Sequence, residues 1–171
     1  MEEEYSFKGQ RSDEQVVLVT KQHLWLLSPL VLVWAVIIGL ILLLVWWQGA
    51  SRVSSYITFG IAVVGLIYSY YFWFIWNNSD YIVTNQRVIK MDQISFFNRV
   101  ISEAEIDRIQ EISTEVAGPI HTLLKFGTVR IKTASDSGKM DLDDLTDPYS
   151  VQQVIVSIQK KTHPNRPPRI I

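Results

Sequence analysis

The sequence predicts a membrane-anchored α+β protein, in which a two-helix transmembrane hairpin precedes a small antiparallel β-barrel or sandwich capped by a C-terminal α-helix. Two long apolar runs predict the hairpin, because only one charged residue interrupts them. Apolar and polar residues then alternate in several short segments, which is typical of strands with one buried face. A last segment with apolar residues at helical spacing predicts the capping helix.

Each apolar run is long enough to cross a bilayer as a helix. The runs cover about residues 26–47 and 54–76, inside a hairpin region, residues 24–79, whose only charged residue is Arg52. At 1.5 Å per residue the first run reaches roughly 33 Å, against about 30 Å for the hydrocarbon core. Buried helices of soluble proteins are normally shorter and show a polar face, so we interpret both runs as transmembrane helices.

Two groups of residues in the runs have predicted roles in the membrane. Tryptophans near the helix ends are predicted to be membrane-interface anchors, and they are Trp46, Trp47, Trp73 and Trp76. Small residues spaced four apart are predicted to let the helices approach closely, and they are Ala35 with Gly39 and Gly65 with Ser69. Packing within the hairpin is favoured over self-association.

The distribution of Lys and Arg predicts the orientation of the hairpin. Basic residues flank the spans on the side of both termini, and they are Lys8, Arg11, Lys21, Arg87, Lys90 and Arg99. The turn between the spans holds Arg52 alone. By the positive-inside rule both termini are cytoplasmic, which predicts a multi-pass protein of the inner, cytoplasmic membrane.

Two terminal segments lie outside the hairpin and the β-rich region. Residues 1–23 are predicted to be a cytoplasmic or interfacial segment. Residues 15–25 could extend the first helix or form a short strand, and the pattern leaves both open. Residues 161–171 are basic and rich in Pro, which predicts a flexible tail.

Residues 80–160 are predicted to form a cytoplasmic domain with six or seven short strands. Short β-branched segments separated by polar residues predict tight turns at residues 85–87 and at Asn98. The segment Ser-Asp-Ser-Gly-Lys at residues 135–139 predicts a further hairpin turn. The domain is therefore expected to be a small, strongly bent antiparallel sheet or a partly open barrel.

Two helical pieces are predicted within this domain. A Gly-Pro break followed by an apolar cluster in residues 118–126 predicts one helical turn. The last helix is predicted to begin with Asp147 as N-cap and Pro148 at its first position. Its apolar residues at helical spacing are Val151, Val154, Ile155 and Ile158.

Three segments of this region resemble a known family. They are Tyr81-Ile-Val-Thr-Asn-Gln-Arg-Val-Ile, Ile106-Asp-Arg-Ile-Gln-Glu-Ile and Leu123-Leu-Lys-Phe-Gly-Thr-Val-Arg-Ile. With the paired spans, about residues 15–160 resemble the bacterial pleckstrin-homology-like family, the YdbS-like membrane proteins with a PH domain. The resemblance implies a PH-like fold facing the cytoplasm, with seven strands in a two-sheet barrel capped by a helix. It implies no common ligand and no enzymatic activity.

Basic residues on the predicted strands are the candidates for contact with lipid headgroups or an acidic partner. They are Arg87, Lys90, Arg130 and Lys132. Lipid-binding eukaryotic PH domains resemble this fold and often carry a basic cluster around the first hairpin. Solvated strand faces are the alternative interpretation and the favoured one.

The sequence predicts no catalytic, cofactor or metal site. The chain has no Cys, which removes thiolate nucleophiles and Cys-based metal sites. Four acidic residues near the last strand lack the Gly turn and final Glu of an EF-hand, so a solvated face is favoured. These residues are Asp141, Asp143, Asp144 and Asp147. His23 is interpreted as interfacial and His121 as a surface or cap residue.

These observations predict an integral membrane protein that presents its PH-like domain as a binding adaptor or scaffold. The expected partners are the lipid bilayer, a protein partner or a second copy of the chain, and anionic lipid. From residue 80 onward twelve basic residues balance twelve acidic ones, so nucleic acid is not expected. The alternative function is an accessory subunit of a membrane transport, secretion or envelope-stress complex that acts through its hairpin.

Overall fold

A computed structural model describes Phe7 and residues 9–49, 51–134 and 138–162. Within them lie seven strands and four α-helices. The strands are β1 (Val16–Lys21), β2 (Asp80–Thr84), β3 (Arg87–Ser95), β4 (Asn98–Glu105), β5 (Ile109–Glu115), β6 (Gly127–Thr133) and β7 (Lys139–Leu145). The helices are α1 (Ser28–Gln48), α2 (Arg52–Asn77), α3 (Pro119–Leu124) and α4 (Pro148–Thr162).

Helices α1 and α2 form the predicted hairpin of long apolar helices. A short 3₁₀ turn, Leu24–Leu27, leads into α1. Ser51 begins α2 with a capping box, because its side chain accepts from the Ser54 N–H while the Ser54 hydroxyl accepts from the Ser51 N–H. By length and composition both helices could cross a membrane.

The strands form two antiparallel sheets. The first has the order β1-β2-β3-β4 and the second the order β5-β6-β7. Between the two sheets, the described residues contain one isolated antiparallel bridge, which joins Gln22 to Leu145. The sheets are therefore not closed into a barrel, and the barrel form of the predicted barrel or sandwich is not observed.

Strand β1 resolves the open question about residues 15–25. It pairs with β2 in antiparallel register, from Val16 opposite Thr84 to Lys21 opposite Asp80. The chain therefore enters the sheet before the helical hairpin and returns to it afterwards. Sequence periodicity could not decide this point, because β1 runs directly into the apolar region.

The predicted turns lie close to the observed ones. Strand β2 ends at Thr84 and β3 begins at Arg87, which confirms the first tight turn. The second turn is made by Phe96 and Phe97, whereas the predicted turn residue Asn98 already begins β4. Of the hairpin turn predicted at 135–139, residues 135–137 lie outside the described residues, as do residues 163–171 of the predicted tail.

Helix α4 covers the core of the domain. Its residues Val151, Ile155 and Ile158 are buried, as its periodicity predicts, and Val154 packs beside them. They join the inward side chains of both sheets in one apolar cluster. Burial of such side chains stabilises the fold by about 1.5–3 kcal/mol each.

Candidate functional site

The junction between the helices and the sheets is held by direct hydrogen bonds. The Trp76 indole N–H donates to the Gln22 carbonyl at 3.1 Å, and Lys21 Nζ donates to the Asn77 carbonyl at 3.2 Å. At the end of α2, Asn78 Nδ2 donates to the Phe74 carbonyl at 2.7 Å. The first two bonds join the last turn of α2 to the segment that precedes α1, so the helix ends and the sheet form one connected unit.

Arg87 lies in a buried ionic network at the opposite end of β2. Its Nε and Nη2 each donate to a different carboxylate oxygen of Glu14 at 2.8 Å, and its Nη1 donates to Glu103 at 2.6 Å. Nη2 also donates to the Gly9 carbonyl at 2.8 Å. Both Arg87 and Glu14 are buried.

This network changes the titration of Glu14. Burial raises the pKa of the Glu14 carboxyl, but hydrogen bonds from Arg87 and the Arg11 backbone N–H outweigh it and lower the pKa to about 2. The prediction that Arg87 faces a headgroup or partner is therefore corrected. Its guanidinium holds the N-terminal segment on the sheet, and sequence spacing could not show this because Glu14 is 73 residues away.

Lys90 connects the two sheets. Its Nζ donates to the Asp141 carbonyl at 2.6 Å and to the Asp143 carboxylate at 3.1 Å, with Asp92 at 3.3 Å. Burial lowers the pKa of Lys90, but the bond to Asp143 and the nearby charges outweigh burial and raise it. Beside it the Tyr81 hydroxyl donates to the Asp143 carbonyl at 3.2 Å. Like Arg87, Lys90 therefore makes its polar contacts within the chain.

Arg130 and Lys132 remain about half exposed on β6, and both are paired. Arg130 lies 2.7 Å from Glu115, and Lys132 lies 2.8 Å from Glu111. Every member of the predicted basic group therefore has a carboxylate within hydrogen-bond distance. The arrangement neutralises the four cations within the chain, and it does not form a basic surface.

A polar cleft of about 320 Å³ opens between the sheets. Its lining includes Lys90 and Lys139 together with Asp92, Glu103 and Asp141. Because carboxylates and ammonium groups are mixed there, the cleft favours neither an anion nor a cation.

Two histidines meet at one aromatic ring, an arrangement that the sequence did not indicate. The ring centroids of His23 and His121 lie 4.7 Å and 4.2 Å from the ring centroid of Phe126. His121 Nε2 lies 3.7 Å from the carboxylate of Asp144, whose pKa is raised by burial and by neighbouring Asp143. Within the described residues no group of three or more metal-ligating side chains could hold a metal ion.

The contact between the two long helices is made around Trp34. Its indole N–H donates to the Ser69 hydroxyl at 2.9 Å. A Cβ added at Gly65 would come within 2.8 Å of Ile37, so this glycine lies in the contact. Ala35 and Gly39 are exposed, and an added Cβ at Gly39 would meet no atom within 4 Å. The predicted small-residue pair on α1 therefore lies outside the helix contact.

A groove of about 650 Å³ follows one side of the helix pair. Residues of both helices line it, including Val33, Ile37, Ile57, Gly60, Val64 and Tyr68. An added Cβ at Gly60 would meet no atom within 4 Å. The groove therefore has room for an apolar chain or another helix.

The four tryptophans predicted as interface anchors lie near helix ends. Trp46 and Trp47 are 85% and 81% exposed in the last turn of α1. Trp73 is partly exposed near the end of α2, whereas Trp76 is bonded to Gln22. Their positions at opposite ends of the apolar helices are compatible with the predicted role.

The two open antiparallel sheets and the C-terminal helix define the class of the protein as one with a PH-like domain joined to a helical hairpin. The family model described as "Bacterial PH domain" matches residues 16–158. The chain belongs to this family. The match begins at β1, before the hairpin, and ends in α4.

One solved structure is similar to the chain. It is a DUF1696 family protein with a pleckstrin-homology domain from Shewanella loihica PV-4, with a TM-score of 0.39 and 15% identity over 47% of this chain and 70% of that one. A search of curated proteins finds no match to the chain.

Proposed function

We propose that the protein is a two-span protein of the cytoplasmic membrane whose PH-like domain works as a binding adaptor at the cytoplasmic face. Membership of the bacterial PH domain family supports a binding role. The apolar composition of α1 and α2 supports membrane anchoring. The excess of Lys and Arg beside the termini supports a cytoplasmic position for the domain.

The pairing of β1 with β2 is the observation that carries the proposal. Lys21 and Asp80 are opposite each other in the sheet, although the whole helical hairpin lies between them in sequence. Both ends of the hairpin therefore enter the same domain. A domain attached through one flexible linker moves and rotates freely relative to the bilayer. Two attachments restrict its height and its rotation above the bilayer.

Restricted attachment gives the proposed adaptor its mechanism. A partner bound at the membrane meets the domain at high effective concentration, because the binding surface cannot move away from the headgroup layer. Arg130 and Lys132 remain the basic candidates for partner contact, since they are about half exposed, but a partner would have to compete with Glu111 and Glu115.

A crosslinking experiment in cells tests the adaptor. The full chain is photo-crosslinked and purified in lipid nanodiscs, and bound proteins and lipids are identified. In parallel, Ile155→Asp places a charge in the domain core, because Ile155 is fully buried, and it leaves the residues of α1 and α2 unchanged. We expect a partner that wild type captures and Ile155→Asp loses. Recovery of no partner and no preferred lipid would contradict the adaptor.

The open groove favours a second candidate, an accessory subunit that binds another membrane protein through its hairpin. Gly60→Leu tests it, because this glycine lines the groove and lies outside the contact between α1 and α2. Loss of the partner in Gly60→Leu, with retention in Ile155→Asp, supports the accessory subunit. The reverse pattern supports the adaptor.

A further inference from the structure

The tip of the β3–β4 hairpin is apolar and exposed. Its turn consists of Phe96 and Phe97, and Phe97 is 102% exposed. Turns are normally rich in Gly, Pro, Asn, Asp and Ser, so two phenylalanines at a hairpin tip are unusual. The rest of the described chain leaves the Phe97 side chain uncovered, and exposed apolar surface of this kind marks a site of contact with protein or membrane.

The apolar surface of the tip extends onto both strands. Ile94, Val100 and Ile101 are 54%, 42% and 53% exposed. Val100 and Ile101 are adjacent in β4 and so point to opposite faces of the sheet. Because both faces of the tip are apolar and exposed, the tip projects beyond the core of the domain as a whole.

The tip lies beside the apolar part of α2. The ring of Phe96 is 4.9 Å from the ring of Phe74 and 5.1 Å from that of Tyr71. Helix α2 ends at Asn77, three residues after Phe74 and six residues after Tyr71. At 1.5 Å per residue the tip reaches about 5–9 Å below the end of the helix. The end of strand β3 therefore lies alongside the last two turns of α2.

We infer that the β3–β4 tip inserts into the cytoplasmic leaflet of the bilayer that α2 crosses, with Phe97, Ile94 and Ile101 among the acyl chains nearest the headgroups. The inference rests on the proposed membrane anchoring. Its occupant is lipid, because Phe96 makes the tip continuous with the lipid-facing surface of α2. The depth matches the roughly 5–10 Å at which amphipathic elements lie in the interface.

Arg99 fits this position. It is exposed, it follows the turn by two residues, and its Nε donates to Gln93 at 2.9 Å. Basic side chains near a bilayer extend toward the phosphates while their stems stay apolar. Membrane contact at the tip would hold the domain at a third point, besides the two ends of the helical hairpin.

Site-specific labelling tests the insertion, and the absence of Cys makes single-Cys variants unambiguous. The full chain is reconstituted in phosphatidylcholine vesicles with a fluorescent label at Phe97→Cys. Matched variants carry the label at Val17→Cys, an exposed site at the far end of β1, and at Leu66→Cys, inside α2. Quenching by nitroxide lipids and by aqueous iodide is compared.

We expect lipid nitroxides to quench the label at position 97 several-fold more than the label at 17, with the reverse order for iodide. A label at 97 that iodide reaches as readily as at 17 overturns the inference. A label at 97 that neither quencher reaches overturns it as well, because protein then covers the tip. A label at position 66 that iodide reaches contradicts the membrane anchoring itself. This control therefore distinguishes failure of the proposed anchoring from failure of the tip insertion.

A second variant excludes an effect of the label. A label is attached at Ile94→Cys in two proteins. One keeps Phe96 and Phe97, and the other carries Phe96→Ser and Phe97→Ser. We expect the label at 94 to lose its lipid quenching several-fold when both phenylalanines are replaced, while the far-ultraviolet circular dichroism of the chain stays unchanged. Equal lipid quenching in both would overturn the role of the phenylalanines in insertion.

Discussion

Arg87 and Glu14 show how one ion pair holds distant parts of the chain together. Both side chains are buried, and the guanidinium also binds Glu103 and the Gly9 carbonyl. Bidentate pairing and these additional bonds offset the cost of removing both charges from water. The network therefore orders the segment before β1, which the sequence alone placed only in the cytoplasm or at the interface.

Removal of one partner is expected to cost more than removal of both. Glu14→Ala leaves the Arg87 charge buried without its main partner, which typically destabilises by about 3–5 kcal/mol. Glu14→Leu with Arg87→Met removes both charges and is expected to cost less. Urea-dependent proteolysis of the full chain in detergent measures both. A double variant less stable than the single one would contradict this account.

The lowered pKa of Glu14 predicts acid sensitivity of the domain. Because the folded pKa lies below the unfolded value of 4.5, the stabilisation is complete above that value and is lost as the pH falls toward about 2. A shift of this size corresponds to about 3 kcal/mol. The urea midpoint is measured between pH 6 and pH 2 for wild type and the double variant. Equal pH profiles would contradict the assignment.

Among the elements, the two long helices touch at some points of the groove and leave space at others. Gly65 and Gly60 both line the groove, but an added Cβ would meet Ile37 and Trp34 of α1 at Gly65 and no atom within 4 Å at Gly60. Both glycines lie on α2, and sequence spacing does not distinguish them. Trp34 lies close to Gly65 and donates a hydrogen bond to Ser69 one turn later, so both residues of α2 lie in the contact with α1.

Substitution of Gly65 is expected to destabilise the hairpin, whereas substitution of Gly60 is not. Gly65→Leu places side-chain atoms where Ile37 already lies and is expected to destabilise the hairpin by about 1–3 kcal/mol. Gly60→Leu meets open space and is expected to leave the hairpin intact. Disulfide formation between paired Cys residues introduced in α1 and α2 reports their contact. A loss of crosslinking with Gly60→Leu alone would contradict the contact between α1 and α2 described above.

For the whole molecule, the central feature is that the domain is assembled from both sides of the helical hairpin. Without β1, the edge of β2 would be left unpaired, and unpaired edges promote aggregation. The Arg87 network would also lose Glu14. Residues 80–160, which the sequence marked as the domain, thus depend on residues before the helices for their sheet.

Replacement of the hairpin by a short linker tests this dependence. Residues 9–22 joined through a short Gly-Ser linker to residues 79–162 are expected to give a soluble, folded domain, because Lys21 and Asp80 are already neighbours. Residues 79–162 alone are expected to aggregate. Circular dichroism and gel filtration compare the two. A folded, monomeric fragment without β1 would contradict the role assigned to β1.

Elements with local signals could be predicted from the amino-acid sequence. The length of the apolar runs indicated both long helices, alternation indicated the later strands, and Asp147 with Pro148 marked the start of α4. Three short segments, taken with the paired spans, indicated the family. The signals for helices and strands each depend on residues within a few positions of one another, where helical and strand periodicity apply directly.

The folded chain alone shows which residues meet across long separations in sequence. It paired β1 with β2, left the two sheets unclosed, and turned Arg87 from a candidate for partner contact into a buried pair with Glu14. It also put Phe96 against α2. Pattern could not reveal these contacts, because a charge or ring has the same sequence signal whether it faces solvent, lipid or a partner in the chain.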